Sequence, residues 1–105
     1  MSKQSAKQRA IKDIRNDDIR IQVTGYIKDP SEPDNIVLND KTGQINVNIK
    51  NIDFKHKEDD LINVIGELVI SMDGGKTIVA EIIQDMNNLN FEYYQKLYEL
   101  KKKYG

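Results

Sequence analysis

A sequence of 105 residues, 38% of them hydrophobic, carries enough material for one core and no second domain. Its 16 Lys and Arg against 17 Asp and Glu leave a formal net charge of -1, so any grip on nucleic acid or an anionic membrane must come from a local patch. With no cysteine and a single histidine, His56, disulfides, thiolate chemistry and Cys/His zinc sites are excluded, and an intracellular protein without cofactor or metal is expected. No apolar run approaches the roughly 20 residues that span a bilayer, and the polar start lacks the apolar stretch of a signal peptide.

Residues 1–18 are polar and rich in Lys and Arg, which predicts a partly flexible tail; Ile11 and Ile14, three apart, allow a short docked helix. From Ile19 the pattern alternates strictly, with Ile19, Ile21, Val23, Gly25 and Ile27 on one face and Arg20, Gln22, Thr24, Tyr26 and Lys28 on the other, the period of a half-buried strand. Asp29 to Asp34 includes two prolines and forms a turn. A second strand at Asn35 to Asn39 and a third at Gln44 to Lys50 enclose Asp40-Lys41-Thr42-Gly43, a tight turn in which Gly43 is placed to take positive φ. The charged stretch from Lys50 to Asp60 reads as a bridging loop or single helical turn. Leu61 to Ile70 and Lys76 to Gln84 are two further strands, joined through Met72-Asp73-Gly74-Gly75. Ile21, Val23, Ile27, Leu38, Ile45, Val47, Ile49, Val64, Leu68, Ile78 and Ile82 are expected to form the core of a barrel over residues 19–86.

From Asn90 the spacing becomes helical, with Asn88 or Asn90 as N-cap and Lys101, Lys102 and Lys103 suited to the negative end of the helix dipole. Phe91, Tyr94, Leu97 and Tyr98 form one predicted stripe, and Tyr93, Leu100 and Tyr104 an adjacent one, while Lys96 and Glu99 mark the wet face. A stripe that broad predicts burial on more than one side, so residues 87–105 are read as an oligomerisation helix, the alternative being a helix that folds back onto its own barrel and caps one end.

None of the catalytic signatures is complete. Gly75-Lys76-Thr77 ends like a phosphate-binding loop, but the required leading glycine would fall at Ile70 and a strand follows. Asp59 and Asp60 lack the loop spacing of a calcium or magnesium site, and His56 has no nucleophile placed beside it, so the chain is not expected to be an enzyme. What remains is an outward sheet face of amides, one aromatic and lysines, suited to single-stranded nucleic acid through stacking on Tyr26 and phosphate contacts. The candidate contacts are Tyr26, Lys28, Asn39, Lys41, Asn46, Asn48, Lys50, Phe54 and Lys76, with Phe54 read as a core plug ahead of a stacking platform.

Five short strands, with a tight hairpin between the second and third and a charged bridge before the fourth, follow the order of an OB-fold, a Greek-key barrel. Four segments, Ile21 to Ile27, Ile36 to Val47, Val64 to Leu68 and Ile78 to Met86, resemble the small and middle subunits of replication protein A; the most specific are the Leu-x-Asp-x-Thr-Gly-x-Ile-x-Val hairpin from Leu38 and Val64-Ile65-Gly66. The resemblance runs from about Ile19 to the end, and the stop at Gly105 points to a smallest-subunit or archaeal form. It implies a mainly β OB-fold barrel with a C-terminal helix, acting as a non-catalytic subunit that serves DNA replication, repair or recombination in an archaeal cytoplasm or a eukaryotic nucleus. It also implies assembly with other subunits, as a hetero-oligomer and specifically a trimer, through Phe91, Tyr93, Tyr94, Leu97, Tyr98, Leu100 and Tyr104. Two other readings stay open: an adaptor that never touches nucleic acid, and an RNA-binding OB-fold of translation.

Overall fold

The computed structural model describes residues 6–30 and 33–104, so residues 1–5 of the expected tail and Ser31 and Glu32 of the first turn lie outside it. Its elements are β1 (Lys7–Gln8), a 3-10 turn (Ile11–Asp13), β2 (Arg20–Lys28), β3 (Asn35–Asn39), β4 (Gln44–Asn48), β5 (Leu61–Ile70), β6 (Lys76–Asp85) and α1 (Phe91–Tyr104). The sheet runs β1-β2-β3-β4-β6-β5 and closes where β5 returns to β2. All pairs of the closed ring are antiparallel except β4 with β6. This is the five-stranded OB-fold barrel with one C-terminal helix.

The alternation in the sequence decides which side chains fill it. Ile21, Val23 and Ile27 from β2 meet Leu38, Val47, Val64 and Ile78 from the other strands, all with no solvent exposure. Ile36, Ile45, Ile49, Ile62, Leu68 and Ala80 complete the core, and Ile52 and Phe54 of the bridging loop pack against it. Ile82, expected in this core, is instead 49% exposed. The cause is a bulge: Ile65 pairs with Ile82 but Gly66 pairs with Ala80, so Glu81 is an extra residue. Alternation slips by one beyond it, and Ile83 packs on the core in place of Ile82. Gly66 permits the bulge because a Cβ there would lie 2.1 Å from the Val79 carbonyl oxygen.

The stretch before β2 departs from the expected tail over its described part. Residues 7–8 form a parallel strand on β2, with Lys7 opposite Ile21 and Gln8 opposite Gln22, and the Arg9 amide donates to the Gln22 carbonyl at 3.0 Å. Ile11 and Ile14 pack against the barrel core. Asp40 anchors this segment. One carboxylate oxygen accepts from the Thr42 amide and hydroxyl and from the Gly43 amide, and the other accepts from the Ile11 amide at 2.8 Å. In that turn the positive φ falls on Lys41, at 72°, and not on Gly43. Gly43 is the point where the Ile11 side chain closes in, to 3.1 Å of where a Cβ would stand.

Candidate functional site

Two surfaces carry the residues that the sequence singles out: the outer side of β2 to β4, and helix α1. Asn90 caps the helix, its side-chain oxygen accepting from the Tyr93 amide at 3.0 Å. Phe91 is buried and meets the Tyr26 ring edge-on, with centroids 5.2 Å apart and planes at 79°. One turn on, the Tyr94 hydroxyl accepts from Gln8 at 2.7 Å, and the Gln95 amide donates to the Asp40 carbonyl at 2.6 Å. The Tyr98 hydroxyl donates to Asp13 at 2.8 Å, and Lys102 bonds the same carboxylate oxygen at 2.9 Å. Burial pushes the Asp13 carboxyl up, but the bonds from Lys102 and Tyr98 outweigh it and hold it below its usual range. Burial raises the Tyr98 phenol. The docked face of α1 is therefore Phe91, Tyr94, Gln95, Tyr98 and Lys102, held by polar bonds as much as by apolar contact.

Leu97 does not belong to that face. It lies with Tyr93, Leu100 and Tyr104 on the opposite one, where Leu97, Tyr93, Leu100 and Tyr104 are 40, 60, 51 and 77% exposed in that order. Lys96 and Glu99 are exposed, as expected. Between α1 and the β3–β4 turn runs an open groove of about 760 Å³, lined by Lys41, Thr42, Phe91, Gln95, Lys96 and Leu100 among others.

On the barrel side the predicted contacts do not form one patch. Tyr26 is half-buried, with Phe91 at its edge and the Lys41 ammonium 5.6 Å from its ring centroid. Thr24 is buried and donates to Asn63, whose amide donates in turn to Gln22 and Gln84, a ladder across β2, β5 and β6. Lys28 pairs with Asp59 at 2.6 Å, and that bond raises its pKa. Asn39 and Asn48 each accept from the backbone amide two residues on, of Lys41 and Lys50, and so cap the turns that follow their strands. Phe54 packs half-buried on the core, edge-on to His56 at 5.5 Å. Lys50 stands exposed in the turn two residues beyond β4. Asn46 and Lys76 do come together: with Val37, Gln44, Ile11, Ile14 and Gly74 they line a groove of about 480 Å³ between β3–β4 and the β5–β6 hairpin. Alternation already sets Gln44 on the same outward face as Asn46, whereas Val37 was missed as a member of that groove. The β3–β4 pairing of Val37 with Asn46 was the available signal.

No protein-family model matches the sequence, and no curated protein matches it significantly. Solved structures do share its fold. A chain of the S. pombe Stn1–Ten1 complex superposes with a TM-score of 0.77 at 16% identity, covering 97% of this chain and 96% of that one. The telomere capping protein Ten1 from Saccharomyces pombe gives 0.74 at 16% identity, with 94% of this chain and 99% of that chain covered. The hypothetical protein YgiW from E. coli gives 0.60 at 21% identity over 79% of this chain and 91% of its own. At such identities the likeness establishes the OB-fold and nothing finer. Among the described residues no helix is long and apolar enough to cross a membrane, and no cluster of metal-ligating side chains occurs.

Proposed function

We propose that this chain is a non-catalytic OB-fold subunit of a single-stranded-DNA-binding complex, joined to a second OB-fold subunit through the outward face of α1. The observation that carries the reading is the helix with two opposed apolar faces: the Phe91 side docked, the Tyr93, Leu97, Leu100 and Tyr104 side in water. Exposed apolar surface of that extent on a small domain marks an interface. The similarity to a chain of the Stn1–Ten1 complex, over 97% of this sequence, supports the same arrangement, since that chain is itself one member of a pair. Telomere capping, the role that the Ten1 protein of Saccharomyces pombe is described by, is one setting for such a subunit.

DNA contact in this reading is secondary and centres on the Asn46 and Lys76 groove, with Lys41 and Lys50 near phosphates. The balanced charge makes it weak and salt-sensitive. Two measurements test the proposal. Light scattering of the complex purified from its native cell should lose this subunit on the double change Leu97→Glu and Leu100→Glu, with circular dichroism of the free chain unchanged. Titration of labelled single-stranded oligonucleotide should weaken on Lys76→Ala, with the slope of log affinity against log salt falling by about 1. An unchanged complex mass refutes the assembly role. Binding equal in wild type and Lys76→Ala removes the groove, and no binding by the assembled complex favours the adaptor reading.

A further inference from the structure

Resting on α1 as the assembly element, we infer that its partner is a helix with acidic residues along both borders of an apolar seam, and that this chain does not pair with itself. Tyr93, Leu97, Leu100 and Tyr104 recur at spacings of four, three and four, the rhythm of a heptad seam with Leu97 at a and Leu100 at d. Charges that border such a seam, at e and g, choose the partner. Here the g positions are Lys96 and Lys103, and the e positions are Lys101 and the docked Tyr94. Every free border charge is therefore cationic.

The helix's own acids are turned away from the seam. Glu99 is held by Lys12 at 3.1 Å and Lys102 at 3.3 Å, on the side nearer the barrel, and Glu92 occupies the equivalent position one heptad earlier. No described residue forms an ion pair with Lys96 or Lys101. Lys103 lies over the neighbouring Tyr104 ring at 5.4 Å. Two copies packed in parallel would set Lys96 against Lys101, and two packed antiparallel would set Lys96 against Lys103, so either pairing opposes like charges. A helix bearing Glu or Asp at those borders satisfies all three lysines and still buries both leucines.

The test uses the full chain and two synthetic three-heptad peptides with leucine at every a and d position, one with glutamate and the other with lysine at every e and g. Fluorescence anisotropy at low salt should give at least about tenfold tighter binding of the glutamate peptide, since three border pairs are gained in one case and inverted in the other. The gap should narrow as salt rises, and the triple change Lys96→Glu, Lys101→Glu and Lys103→Glu should reverse the preference. Light scattering of the free chain should report a monomer. Equal affinity for both peptides, abolished by Leu97→Glu with Leu100→Glu, overturns the charge inference while the assembly helix stands; so does a free chain that dimerises through α1. Binding of neither peptide overturns the assembly reading itself.

Discussion

Replacing Gly66 with alanine should be among the most damaging single-methyl changes available to this barrel. The added Cβ would stand 2.1 Å from the Val79 carbonyl oxygen, 2.8 Å from its carbon and 3.0 Å from the Ala80 Cα, all backbone of the paired strand. None of these is the end of a side chain that could swing aside, so β5 and β6 must part by about 1 Å, enough to break a hydrogen bond of ordinary length. Gly66 is buried and opposite Ala80, so the ladder groups freed there lose protein partners without gaining water, at ~1 to 3 kcal/mol each. Two such groups, set against the ~0.5 to 1 kcal/mol that alanine recovers in chain entropy, leave a loss of about 3 kcal/mol, a large share of the ~5 to 15 kcal/mol typical of a domain. With a urea slope of ~1.5 kcal/mol per molar, the unfolding midpoint should fall by about 2 M. Gly74→Ala is the control: its φ is 90°, but nothing lies within 4 Å of the new methyl, so only the ~1 to 2 kcal/mol of left-handed strain applies. A Gly66→Ala midpoint within about 0.5 M of wild type, or no lower than that of Gly74→Ala, would refute the steric argument.

The same denaturation curves should separate Ile78 from Ile82: alanine at the fully buried Ile78 should cost ~2 to 5 kcal/mol, while alanine at the half-exposed Ile82 should cost under about 1 kcal/mol. Burial raises the Asp18 carboxyl, but the bidentate Arg9 guanidinium and the Arg15 amide outweigh it, leaving its pKa below the usual 3.8. Its stabilisation is thus complete above that value and lost as pH falls through the lower folded value. Urea unfolding should show Asp18→Asn weaker than wild type near neutral pH, the difference shrinking below pH 3.8.

Most of the barrel is written in local pattern. Period two at Ile21, Val23 and Ile27 and at Ile45 and Val47 places those side chains inward, and the Asn90 cap marks where the helix begins. What escaped is set by partners distant in sequence. β1 is two polar residues whose place depends on backbone bonds to β2, so no apolar period could announce it. Ile82 obeys alternation until Glu81 breaks register, and nothing in the run of apolar residues marks that break. Leu97 sits three residues from Tyr94, a spacing that allows the docked face, yet the bonds of Tyr94, Gln95 and Tyr98 to Gln8, Asp40 and Asp13 rotate it outward. Among the candidate DNA contacts, amide type and alternation together put Asn39 and Asn48 with Asn46. Only the backbone following each strand separates the two turn caps from the amide left on the surface.

The anchoring of residues 8–13 has a consequence for the order in which the molecule assembles. That segment bonds to Gln22 on β2, to Asp40 and Thr42 between β3 and β4, and to Tyr94, Tyr98 and Lys102 on α1. Its docking site needs the β3–β4 hairpin in place beside β2, and it docks together with the helix, since Gln8 and Asp13 hold Tyr94, Tyr98 and Lys102 across more than eighty residues of sequence. Pairings so remote make for slow folding. Segment and helix should accordingly lock late and open early as one unit, a clasp whose amides exchange with solvent well before those of Val23 or Val64.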